Sequence, residues 1–464
     1  MVAICACNPG GAPVPNVRID HRVETVAMLE RLAGAHEYSE ATGPYVAEVD
    51  RALAPFANHP AVVLARSLHA HGLAYERPMQ LALHAEVEST ETLEPFSAAI
   101  DQFAAAAKLD AFFAAHAAYY ASVEAAFRGK LAVANPIRFF RGLVPDVPRF
   151  TLIPALLQGP QNYGVHVGNN AYQLMGLGEV DAQGLPKAID GDLIVHEMAH
   201  SFVNPVIAEH QELWVPAAKL LALVEPQMAA QAYATPKILL DESIVRAVTV
   251  HYVRTTRGDA AADKAIRGEI RRGFLWTREL EAVIAAGGKR DFAARIGELS
   301  AFFTATAAQY ANGLPAQPFA GPIDAVYRKP FAIVASPATL DQARQVAATI
   351  FHGAPAVGDT APPHTGVVAY GSATTPAIAA ALAKLNITVT ADAISIGAQR
   401  FTGAELGLIA CTQRYDDAMQ GLAIYTAATD AGVAGINELH AGSTDWVVGQ
   451  RVAGHWQVVA SGDF

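Results

Sequence analysis

The chain of 464 residues is poor in cysteine, in charge and in long apolar runs. Its three cysteines are Cys5, Cys7 and Cys411. Two of them lie at the extreme N-terminus, which argues against a disulfide framework. Only 17% of the residues are charged, and the acidic excess behind the formal net charge of −11 is spread along the chain. No basic patch tracks a phosphate backbone, so nucleic acid is not expected as a partner. No apolar run reaches the roughly 20 residues of a spanning helix, so no transmembrane segment is expected. What the chain does have is apolar residues, 52% of the total and rich in alanine. That is a globular composition, long enough for two or three domains.

The start, MVAICACNPGGAPVPN, admits two readings. VAICA is too short for a complete secretory h-region but suits the tail of one. Cys7 would then carry a lipid anchor, residues 1–20 would form a flexible tether or signal remnant, and the protein would be an exported periplasmic or cell-surface lipoprotein. The other reading is a frayed cytoplasmic terminus. From residue 22 to 130 apolar residues recur at helical spacing, as in Val23, Val26, Leu29 and Leu32. Between 147 and 178, VPRFTLIPALL, NYGVHVG and AYQLMGL read as strands of a small sheet. A helix is expected over 190–204, capped by Asp190 or Asp192 and stopped or kinked at Pro205. A second is expected over 237–254. The segment 313–330 is rich in proline and reads as a linker. Beyond it, over 331–464, strand-like and helix-like stretches alternate, which predicts an α/β domain with a mostly parallel sheet.

The chemistry concentrates in GDLIVHEMAHSFVNP, residues 191–205. Residues four apart on a helix differ by about 40° of rotation, so His196 and His200 share a face and can share an ion. Imidazole is a good ligand for zinc. Glu197 sits beside the metal rather than on it, where it can take a proton from a water and pass it to a leaving amine. With 16 histidines in the chain, a chance HExxH is expected only about 0.03 times. The alternative is a buried helix whose two histidines are satisfied by backbone groups. A catalytic zinc needs a third protein ligand. No GxxH follows His200, and His210 lies in an irregular stretch between prolines. Glu242 on the second helix is the better candidate, with Asp241 its nearest competitor. His251 points the opposite way from that face. Arg246, one turn after Glu242, could pair with it or grip a substrate carboxylate. Asn204 could hydrogen-bond a ligand.

HExxH followed by a glutamate on a later helix resembles the gluzincin zinc metallopeptidases. HEMAHSFVNP with DESIVRA is similar, more narrowly, to an uncharacterised bacterial family of gluzincin-like proteins, over roughly residues 18–325. The resemblance implies a mainly α, zincin-like (α+β) region over 21–312. It implies one catalytic zinc on His196, His200 and Glu242, with Glu197 as base. Such catalysis also needs a donor for the oxyanion. Tyr163 and His166, on the strands before the metal helix, are the candidates; otherwise they pack or cap a turn. Peptide or protein substrates are expected. The rival readings are a zinc hydrolase of another amide and a non-catalytic zinc-containing binding protein. YGSATTP, in the C-terminal domain, could hold an anion at a helix start but is more often a plain strand-to-helix turn.

Overall fold

The computed structural model describes residues 15–464 apart from 74–76, 84–89, 168, 230, 312–318, 329, 352, 354, 415, 418 and 440–443. The chain is multi-domain and divides into two compact units at Ala311/Asn312. Among the described residues no helix is long and apolar enough to cross a membrane. Cys5 and Cys7 lie outside the described residues.

The first unit opens with β1 (Asn16–Val17), α1 (His21–Ala33), α2 (His36–Ser39), α3 (Pro44–Leu53), α4 (Pro60–Ala70), α5 (Arg77–Ala82), α6 (Thr90–Ala106), α7 (Leu109–Ala134) and α8 (Pro136–Leu143). Strands β2 (Arg149–Ala155), β3 (Asn162–Val167) and β4 (Asn170–Gly176) follow. The unit ends with α9 (Gly191–Glu209), α10 (Trp214–Ala229), α11 (Pro236–Arg257), α12 (Asp259–Arg272), α13 (Thr277–Ala286) and α14 (Ile296–Gln309). The small sheet has the order β1-β2-β4-β3, with β3 antiparallel to β4 at an edge. The tether reading fails for its last residues. Asn16 and Val17 pair in parallel with Thr151 and Leu152, and Asp20 caps α1.

Of the stop or kink expected at Pro205, the stop is corrected, because α9 runs on to Glu209. Proline removes one ladder bond, the one to the carbonyl four residues back. Pro205 is exposed, while Val203 and Ile207 on either side are buried. Packing of the apolar face therefore carries the helix past the missing bond. At its start α9 presses on α7. A Cβ on Gly191 would lie 3.1 Å from the Lys130 Cε and 3.2 Å from the Ala134 Cβ, so the first residue has to be small.

The second unit contains β5 (Phe331–Ala335), α15 (Leu340–Thr349), β6 (Ala356–Gly358), β7 (Gly366–Ser372) and α16 (Pro376–Lys384). A three-stranded antiparallel sheet follows, β8 (Ile387–Val389), β9 (Ala393–Ile396) and β10 (Gln399–Thr402). The chain ends with β11 (Leu406–Gln413), β12 (Gly421–Ala427), β13 (Trp446–Val452) and β14 (His455–Gly462). The main sheet has seven strands, ordered β14-β13-β11-β12-β7-β5-β6. It is mixed, not mostly parallel. β6, β5, β7 and β12 run parallel, whereas β11, β13 and β14 are antiparallel. The physical reason is connection length: β11–β12 and β13–β14 are joined by short segments, and a parallel pair needs a crossover of a dozen residues or more. Ala453 and Gly454 both have positive φ, the backbone of a tight hairpin turn.

Part of the expected linker belongs to this core, since Ile323 and Val326 are buried in it. The YGSATTP turn already holds a carboxylate. Asp430 Oδ1 accepts from Ser372 N at 2.8 Å and from Ser336 Oγ at 3.1 Å, so the strand end of this turn is satisfied by the chain itself.

Candidate metal centre

Two capped helices build the centre. Asp190 starts α9 by accepting from Asp192 N at 2.8 Å and Leu193 N at 3.4 Å. Thr235 starts α11 by accepting from Ile238 N at 3.2 Å, and Pro236 takes the first helical position. α11 is buried almost continuously from Leu239 to Val253 and packs along α9. His196 and His200 meet Glu242 across this contact. Their Nε2 atoms are 3.3 Å apart. The His196 Nε2 is 3.6 Å from Glu242 Oε2, and the His200 Nε2 is 3.6 Å from Glu242 Oε1. This buried or half-buried group could hold a metal ion.

The surroundings hold each donor in a usable state. Asn204 Oδ1 lies 3.0 Å from His200 Nδ1. A proton on Nδ1, donated to that oxygen, leaves the Nε2 lone pair facing the group. Burial keeps the His196 imidazole well below its usual pKa, and the nearby His200, Arg246 and Arg272 push it the same way. Glu242 Oε2 is buried without a hydrogen-bond partner among the described residues. Arg246 Nη2 lies 3.1 Å from it as an ion pair, off the line of a hydrogen bond. Glu197 has neither hydrogen bond nor ion pair to any described residue. Burial pushes its carboxyl up to about 7, with His200 opposing and Glu242 adding.

Arg246 is engaged through both of its terminal nitrogens. Nη1 pairs with Glu269 Oε2 at 2.8 Å, Nη2 donates to the Tyr233 hydroxyl at 3.1 Å, and the guanidinium stacks 4.6 Å over Phe274. Burial works against its charge, but Glu269 and Glu242 hold it firmly protonated. It orients Glu242 and has little left with which to grip a substrate. Asp241 is held by Lys237 at 2.6 Å and is not part of the triad. His210 bonds Glu212, and His251 bonds Glu281, both outside the group.

The two candidate oxyanion donors are placed on opposite faces of the sheet. Gln173 reaches Ser201 of α9, and the Phe150 ring lies tilted 5.9 Å from that of Phe202, so these residues mark the α9-facing side. His166 is in register with Ala171, and Ala171 with Phe150, which puts exposed His166 on that side. Tyr163 is in register with Leu174 and faces away. Its role as donor is therefore corrected, because neighbouring residues of a strand alternate between faces. Its hydroxyl is buried without a partner among the described residues.

Sequence reasoning missed Tyr233 and Glu269. Tyr233 sits in the turn before α11, and nothing local marks it. Glu269 was legible as a carboxylate on the apolar stripe of α12, with Ala262 and Ile266.

Residues 76–303, which include every residue of this centre, match a family described as a Domain of unknown function (DUF4932). No curated protein and no solved structure matches the chain.

Proposed function

We propose that the protein is a zinc-dependent peptidase of gluzincin type, with His196, His200 and Glu242 as ligands and Glu197 as general base. The triangle of donor atoms carries this reading. Two ligands at 2.0–2.1 Å from zinc and at a tetrahedral angle lie about 3.3–3.4 Å apart. The separations here are 3.3, 3.6 and 3.6 Å. Glu242 Oε2, buried and without a hydrogen bond among the described residues although ion-paired with Arg246, also suits a site that takes a cation. Three protein ligands with a fourth position open is the pattern of catalytic rather than structural zinc. When bound, zinc supplies a Lewis acid that polarises a carbonyl and acidifies a water.

The rest is the work of the chain. Glu197 has a free carboxylate one residue from a ligand. It accepts a proton from the attacking water and returns it to the departing nitrogen. A carboxyl raised toward neutrality serves both steps. Asn204 fixes the His200 tautomer, and Arg246 fixes the Glu242 rotamer. Tyr233, whose hydroxyl already touches Arg246, replaces Tyr163 as the phenol able to donate to the carbonyl oxygen as it gains charge. Edge strand β3 offers unpaired backbone groups beside α9, to which an extended peptide can add as a further strand.

Digestion of a peptide library tests this reading, with Glu197→Gln as control. Cleavage by the wild type, reduced about 10²–10⁴-fold in the variant, is expected. Hydrolysis of small amides without any peptide cleavage would instead favour a non-peptide amidase. Unchanged activity in Glu197→Gln would remove the catalytic role altogether.

A further inference from the structure

His251 is nine residues beyond Glu242 on α11, about 180° around the helix, and takes no part in the metal centre. It lines a separate, half-open cavity of about 570 Å³ between α8, α11 and α13. We propose that this cavity is a binding site for a small organic carboxylate with an apolar body.

The balance of donors and acceptors carries the proposal. No acidic side chain lines the cavity. The carbonyls of three lining residues, Leu143, Ile284 and Gly288, are already taken by the buried guanidinium of Arg295. Thr255 gives its hydroxyl proton to Tyr252 O, which leaves its oxygen only to accept. Glu281, behind His251, is shared between His251 Nδ1 at 3.0 Å and Arg254 Nε at 3.1 Å, so its charge is compensated. On the donor side stands Arg138, whose side chain has no hydrogen bond or ion pair among the described residues. The cavity thus offers a forked guanidinium, unpaired among the described residues, and no carboxylate in its lining to compete for it. A carboxylate matches that fork with two parallel hydrogen bonds. Phe139, Leu143 and Ile284 supply the apolar wall.

The geometry also supplies a clean test. Gly142 lines the cavity, has ordinary helical backbone, and a Cβ there would meet nothing within 4 Å. Gly142→Leu therefore adds bulk at the cavity wall from a Cβ that meets no neighbour, and Arg138→Ala removes the anchor from an exposed position. Calorimetric titration of the full chain would use 3-phenylpropionate, 3-phenylpropanol and 3-phenylpropylamine, which share one body under three head groups. Saturable binding of the acid is expected, at least tenfold tighter than of the alcohol or amine. Arg138→Ala should weaken it at least tenfold and Gly142→Leu should abolish it, both with unchanged melting temperature and metal content. A peptide ending in Phe, run beside its C-terminal amide, separates a chain terminus from a free acid as the source of the carboxylate. Tighter binding of the free-ended peptide than of 3-phenylpropionate assigns the terminus, and the reverse assigns the free acid. Equal affinity for the three head groups, binding that survives Gly142→Leu, or no binding of the acid would overturn the proposal.

Discussion

Glu24 is fully buried on α1, accepting from Leu156 N at 3.1 Å and from the Tyr45 hydroxyl at 3.0 Å. Burial pushes its carboxyl up to about 7 from an ordinary 4.5, and the two hydrogen bonds offset only part of that. The folded state therefore holds a proton that the unfolded chain has lost over this interval. Stability is present at acidic pH and falls as pH rises from 4.5 through 7, by roughly 3 kcal/mol in all. Glu24→Gln keeps an acceptor for Leu156 and removes the titration. Thermal melts across pH 5–8 should show a flatter profile in the variant and higher stability than wild type at pH 8. The two tyrosines give a second contrast. Tyr233→Phe should lower kcat about 10²-fold with little change in KM or metal content. Tyr163→Phe, which removes an unpartnered buried hydroxyl, should leave turnover intact and stability equal or up to about 1 kcal/mol higher. Steady-state kinetics and melts of both variants decide between them. At this scale His196, His200 and Glu242 were legible: fixed helical spacing puts the two histidines on one face, and a glutamate on a following helix is what the resemblance implied. Tyr233 was not, because only the closure of a turn onto α11 brings it to Arg246.

The helices announced themselves by apolar period and caps, and α9 and α11 start where Asp190 and Thr235 can satisfy free N–H groups. Pro205 misled because local hydrogen bonding predicts a break that packing overrides. Replacing it tests that explanation. Pro205→Ala restores the bond to the Ser201 carbonyl at an exposed position and should stabilise the fold by about 1–2 kcal/mol, less than the full helix-interior cost because the unfolded chain gains freedom. Denaturant unfolding measures this, and metal binding should not change. Strand β1 escaped notice for a different reason. Two residues carry no alternation, and their partner β2 lies more than a hundred positions away. The mixed sheet was misjudged by weighing strand texture above connection length, although the short β11–β12 and β13–β14 links were visible in the chain.

Each of the two units has a hydrophobic core of its own: one large cluster in the first, and one on either face of the seven-stranded sheet in the second. Every residue of the metal triad and of the carboxylate cavity comes from the first unit. A chain ending at Ala311 should therefore fold and bind metal with the stoichiometry of the full protein, as circular dichroism and metal analysis would show. The most direct test of the central claim is the metal content of the intact purified chain beside His196→Ala and Glu242→Ala. The predicted result is about one zinc per wild-type chain, lost or weakened in both variants. No bound metal after zinc is supplied, or variants that retain it as the wild type does, would contradict the claim and leave α9 as a packed helix that happens to carry two histidines.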